Sequence, residues 1–165
     1  MSGKVIQTLR SSPLATFLRE PELRMLAGCG RIYQYADGQD IVSADGQDKR
    51  LFLLKEGKVD LYLTILTETG QCTGDAHVEL SAPGELFGWA AWMRADRVGV
   101  SARSVENVSV AAFDLERLGD SDIFRKVSLR MLELLYARLQ EYGICPPNVQ
   151  ALLKFKRMLE GVGEP

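Results

Sequence analysis

The stretch that decides the fold is Tyr35–Leu66, YADGQDIVSADGQDKRLFLLKEGKVDLYLTIL. It divides into short apolar pieces separated by glycine-bearing turns. Asp37-Gly38 and Asp45-Gly46 supply the positive φ that tight hairpin turns require, and Glu56-Gly57 closes the third piece. The last piece, KVDLYLTIL, alternates cleanly. Val59, Leu61, Leu63 and Ile65 share one side, and Asp60, Tyr62, Thr64 and Leu66 the other, so this strand has one wetter face. Working outward, RIYQYA precedes the first turn, Thr69-Gly70 ends the alternating run, and DAHVEL alternates again. Strands recurring about every 8–12 residues with glycine turns predict an all-β sandwich or barrel over Arg31–Phe113.

The flanks change texture. In SPLATFLREPELRMLAGC, residues Leu14, Phe17, Leu18, Leu23, Met25 and Leu26 fall at helical spacing, and Pro21 divides the segment into two short helices. After Phe113, SDIFRKVSLRMLELLYARLQEYG has an N-cap in Ser121, an acidic first turn in Asp122 and a stop at Gly143 before Pro146-Pro147. A long helix is expected over 121–142. At 100° per residue Phe124, Val127, Met131, Leu135, Leu139 and Tyr142 form one seam, and Leu129, Leu132 and Tyr136 a second. So wide an apolar arc needs cover on two sides. One side can be the β-domain; the other is either the terminal amphipathic piece NVQALLKFKRMLE or a second subunit. Closed two-fold dimers being the commonest oligomers, a homodimer through the first seam is the expectation. The layout is a tail over 1–12, one domain over 13–143 and a short helical extension over 144–165.

Composition narrows the function classes. The chain has 165 residues, enough for one self-sufficient core, with 46% apolar and 25% charged residues. A net charge of -2 argues against electrostatically driven nucleic-acid binding. No apolar run approaches the ~18 residues of a membrane span, and MSGKVIQTLRSSP lacks a signal peptide's apolar core, so the expected place is the cytoplasm. Cys29, Cys72 and Cys145 are scattered and odd in number, which reads as reduced thiols rather than a metal or iron–sulfur set. His77 is the single histidine and lies in the strand-like DAHVEL. With no GxSxG elbow and no metal-ligand cluster, no catalytic residue, metal or cofactor is expected.

The order of YADGQDIVSADGQ, LFLLKEGKVDLYL, APGELFG and FDLERL leading into LLYARLQ resembles the cyclic-nucleotide-binding effector domain of the Crp/Fnr (catabolite activator) regulators. The resemblance runs over about Pro13–Tyr142, with Gly38, Gly46, Gly57, Gly84 and Gly88 at the expected turns. It implies a mainly β fold: a double-stranded β-helix or jelly-roll barrel with short N-terminal helices and a long C-terminal helix. It also implies a ligand cradle, in which a Gly-Glu-Phe-Gly-like turn leads into a short helix whose N-terminus faces a cyclic phosphate. The family pattern reads Phe-Gly-Glu-apolar-Ala-Leu, then Arg-small-Ala-Thr or Ser. The resemblance therefore assigns a ligand site to Gly84, Glu85, Leu86, Phe87, Gly88, Trp89, Ala90, Arg97 and Ser101.

Two departures alter what that site can hold. Trp89 stands where the family has the ribose-binding glutamate, and indole Nε1–H donates only, so it cannot accept a hydroxyl proton. Glu85 belongs to the preceding turn and is no substitute. Counting back from Ser101, the phosphate-binding arginine position falls on Val98. Arg97 could serve only if the loop shifts by one residue, which in a strand turns the side chain to the other face. The expectation is a non-enzymatic sensor or regulator with a degenerate pocket. Its partners would be a second copy and a small-molecule effector other than a cyclic nucleotide held in the usual way. The alternatives are a protein–protein interaction module without a ligand, or a cAMP/cGMP regulator using Arg97. Eighteen residues after Pro147 with one helical pattern do not make a helix-turn-helix, so direct DNA binding is not expected. Lys154, Lys156 and Arg157 read as a solvated helix face.

Overall fold

The computed structural model describes residues 2–16, 18–43, 50–66, 72–88 and 98–118, together with 122, 123, 125–127, 129, 130 and 133. Among the described residues eight strands follow two helices: α1 (Ser2–Arg10), a 3₁₀ turn (Pro13–Thr16), α2 (Glu20–Gly28), β1 (Gly30–Tyr35), β2 (Asp40–Val42), β3 (Arg50–Glu56), β4 (Val59–Leu66), β5 (Cys72–Leu80), β6 (Leu86–Phe87), β7 (Val98–Ser104) and β8 (Val108–Asp114). They form two four-stranded antiparallel sheets, ordered β1-β8-β3-β6 and β2-β7-β4-β5. Apart from the β4–β5 hairpin, neighbours in each sheet come from distant parts of the chain, the jelly-roll topology that the resemblance implies.

Burial follows the residue pattern. In β4, Val59 and Leu61 are buried while Tyr62 is 45% exposed, so this strand does have one wet face. The other sheet differs. Leu51–Leu54 of β3 and Val108–Phe113 of β8 are buried without interruption. A strand with no wet face is covered on both sides, here by the second sheet and by the N-terminal helices. The helical cover is close: a Cβ added at Gly30 would come within 2.5 Å of the Phe113 ring and 2.9 Å of Val5.

Three expectations need adjustment. The segment expected as a tail contains α1, whose Val5 and Leu9 belong to the core. Pro21 does not divide a helix; it sits in the first turn of α2, where its missing N–H costs nothing. The break lies before it, because Arg19 is the extended N-cap. Met25, assigned to the apolar surface, is 56% exposed because the buried side of α2 is Glu22, Leu23, Leu26 and Ala27. Of the helix expected over 121–142, every described residue is helical, and Ile123 and Val127 lie in the core; the rest is outside the described residues. The turn at 45–46 is likewise outside them.

Glu22 anchors that C-terminal segment. Its side chain is only 6% exposed, yet Oε2 accepts the Arg19 backbone N–H at 2.9 Å and Oε1 meets Lys126 Nζ at 2.6 Å and Arg19 Nη2 at 3.1 Å. The Lys126 hydrogen bond, then the Arg19 N–H, hold its carboxyl at a pKa of about 2 against the opposing effect of burial. Among the described residues no helix is long and apolar enough to cross a membrane.

Candidate functional site

The GELFG stretch folds as a rigid turn built onto β3. Gly84 N–H donates to Leu54 O at 2.7 Å and Leu54 N–H donates to Glu85 O at 2.8 Å. Leu86 and Phe87 then pair with Leu53 and Phe52 as the two residues of β6. The Phe52 and Phe87 rings stack at 5.1 Å with a 13° tilt, both fully buried. Gly84 and Gly88 bracket this piece at φ of 96° and 86°, a region that favours glycine. At Gly88 a Cβ would also lie 2.7 Å from Arg50 O, so the backbones pass too closely for any side chain. The sequence thus produces a sharp, fixed exit from β6 at the residue where the family's cradle begins.

Glu85 is occupied locally. Its Oε2 accepts the N–H groups of Ser81 and Ala82, each at 2.9 Å, closing the 81–85 turn. That carboxylate shapes the turn. Trp89, Ala90 and Arg97 lie outside the described residues.

The chain resumes at Val98, which pairs with Ile65 as β7 begins. Ser101 pairs with Tyr62, on the wet side of the second sheet, whereas its neighbour Ala102 pairs with Leu61 and is 1% exposed. Cross-strand partners share a face, so Ser101 points away from the core. The structure brings Gly84, Glu85, Leu86, Phe87 and Gly88 together, and Ser101 is on the other sheet and faces outward. Counting along a motif assigned its number; only strand pairing assigned its face.

Two neighbouring residues were not singled out from sequence. Arg50 lies below Gly88 with its guanidinium 5.1 Å from the ring centres of both Tyr33 and Phe52. Ser104 is buried and ties the 36–39 turn to β7: its hydroxyl donates to Ala36 O and accepts from Gln39 N–H at 2.9 Å. A serine in SARS carries no signal for a contact 65 residues away. His77 is accounted for on the outer face, with Nε2 2.9 Å from Asp60 Oδ1 and its ring stacked 4.9 Å from Tyr62. Cys29, half-buried after α2, has its thiol pKa pushed up by burial.

Of the expected dimer seam only Val127 has a described side chain, and it is fully buried in its own chain's core. Phe124, Met131, Leu135, Leu139 and Tyr142 are outside the described residues.

Comparison with known proteins places this arrangement. The sequence profile of the family described as "Cyclic nucleotide-binding domain" matches residues 32–120. The fold resembles the regulatory domain of Toxoplasma gondii PKA with cAMP, at TM-score 0.61 and 20% identity over 86% of this chain and 50% of that one. It resembles Thermus thermophilus catabolite activator protein at TM-score 0.55 and 26% identity, over 81% of this chain and 61% of that one. A third similar structure is the regulatory subunit of a cAMP-independent protein kinase A from Trypanosoma cruzi bound to guanosine. Its TM-score is 0.57 and its identity 16%, over 86% of this chain and 51% of that one. The chain thus spans half to three-fifths of the length of these relatives. No curated protein matches it by sequence.

Proposed function

Because the chain belongs to the cyclic nucleotide-binding domain family, we propose that it is a non-enzymatic sensor or regulatory domain whose nucleotide pocket is degenerate. The observation that carries this reading is the contrast within one loop. The shell is kept, with Gly84 and Gly88 at positive φ around a β6 locked onto β3. The recognition residues are replaced, with Trp89 and Val98 where the family uses glutamate and arginine.

The physical consequence is specific. A cyclic phosphate needs a cation and donors, and a ribose hydroxyl needs an acceptor. Trp89 offers one N–H donor but no acceptor, and the Val98 side chain offers no cation, donor or acceptor. Trp89 and Trp92, three apart in the sequence, bring aromatic bulk that suits a planar or apolar effector better than a charged sugar phosphate. The guanosine-bound Trypanosoma cruzi protein makes guanosine a natural member of the test panel.

The test is a thermal-shift and calorimetric screen with cAMP, cGMP, guanosine and a metabolite panel. Ligand at 100 times its Kd adds about 2.7 kcal/mol of stability, or a rise of about 5–10 °C for a domain this size. The expected result is no shift with cAMP or cGMP and a shift with another planar ligand. A strong cAMP response abolished in Arg97→Ala would overturn the degenerate pocket in favour of a realigned loop. Silence across the whole panel would favour an interaction module that takes no small molecule.

The domain acts as a homodimer through segment 121–142, expected from the sequence as a helix, with Leu135 central to the seam. Val127 is already covered within its own chain, so the contact would run over the C-terminal part of the seam. Leu135→Glu should convert a dimeric mass at micromolar concentration to a monomeric one; a monomeric wild type would end the proposal.

A further inference from the structure

A polar groove lies on the helix-covered side of the first sheet. It encloses about 370 Å³ between α1, the end of β3 and the turn at Pro83–Gly84. One wall is a stripe of α1: Lys4, Gln7, Thr8 and Ser11 follow each other at helical spacing. Lys55 stands on the other wall. Among the described residues no aspartate or glutamate lines it.

Charge is distributed unevenly around it. The other cations of the N-terminal helices have partners: Arg10 and Arg24 pair with Glu20, and Arg19 pairs with Glu22. Lys4 and Lys55 have neither an ion pair nor a hydrogen bond on their ammonium groups among the described residues. Both lysines line this one groove, where an anion between them would meet two positive charges. The hydroxyls of Thr8 and Ser11 donate to Lys4 O at 2.8 Å and Gln7 O at 3.0 Å. The donors left for a ligand are therefore Lys4 Nζ, Lys55 Nζ and the Gln7 amide, a set that suits an oxyanion.

The floor of the groove is stiff. Gly84 is tied to Leu54, and its Cα lies so near α1 that a Cβ would meet Ser11 O at 3.1 Å. An anion seated here would bear on the same turn that opens into GELFG. We propose that this groove binds the phosphate group of a small phosphorylated molecule, with Lys4 and Lys55 clamping a dianion between α1 and β3. The volume suits a small ligand. The two cations converge on one groove rather than lining an extended stripe, which favours a compact dianion over an acidic peptide.

The experiment titrates the full chain with pyrophosphate and glycerol 3-phosphate, followed by calorimetry and by amide chemical shifts. The probes should bind with salt-dependent affinity and shift the amides of Thr8, Ser11 and Gly84. Lys4→Gln and Lys55→Gln should each weaken binding about tenfold, with the melting temperature unchanged. Absence of binding overturns the proposal, as does binding that both variants leave intact. Binding of hexaglutamate but of neither phosphate probe would overturn the small-molecule assignment. The outcome is independent of the cradle: a cyclic-nucleotide response that survives Lys4→Gln and Lys55→Gln speaks to the first site alone.

Discussion

Replacing Glu22 by glutamine tests the buried ion cluster that joins the two ends of the domain. Glutamine keeps the shape and can still accept the Arg19 N–H, but it removes the charge opposite Lys126 and the Arg19 guanidinium. The carboxyl falls from an ordinary value of 4.5 to about 2 in the folded chain. At about 1.4 kcal/mol per unit this corresponds to roughly 3 kcal/mol at neutral pH. Lys126 and Arg19 are 39% and 78% exposed, so solvent screening reduces their share. We expect Glu22→Gln to cost about 2 kcal/mol, a fall of roughly 4–8 °C in Tm. Because the folded pKa is depressed, the contribution is complete above the unfolded value. It is lost as pH falls from near 5 toward 2. Urea unfolding at pH 7, 5 and 3 should show wild type and variant converging on acidification. A variant within 0.5 kcal/mol of wild type at pH 7, or a gap that stays constant to pH 3, would refute the reasoning.

Further tests address the cradle and the surface. Gly88→Ala should destabilise the chain by about 1–3 kcal/mol, because φ of 86° and the nearby Arg50 carbonyl both oppose a Cβ; denaturant midpoints check this. Glu85→Ala should cost about 1–2 kcal/mol by releasing the Ser81 and Ala82 N–H groups, with faster amide exchange confined to the 81–85 turn. Arg103→Ala should leave stability within about 0.5 kcal/mol, since its bond to Asp40 joins side chains that are 55% and 71% exposed. A larger loss there would mean the outer face carries load that its exposure does not suggest.

Local regularities made most of the fold legible. Period-two alternation in KVDLYLTIL, the continuous apolar run of RLFLLKEG and the glycine turns depend only on neighbours along the chain. The GELFG turn was legible for the same reason: both positive-φ positions are glycines, and the departures at Trp89 and Val98 are visible letter by letter. The N-terminal helix α1 was not, since MSGKVIQTLR offers just Met1, Val5, Ile6 and Leu9 as apolar residues. It becomes a core element only because Phe113 and Gly30 leave room for Val5.

What the sequence by itself determined is the set of strands and the turns between them, which short-range sterics and periodicity dictate, and the identity of Trp89 and Val98, on which the proposed degenerate pocket rests. Tertiary structure alone decided which residues meet. It turned Ser101 outward through its pairing with Tyr62, and it brought Ser104 to the 36–39 turn across 65 residues. It also joined Glu22 to Lys126 across 104 residues and set Lys4 and Lys55 on one groove. Such contacts arise from the order in which strands assemble into sheets, and that order brings together residues with no local trace of one another.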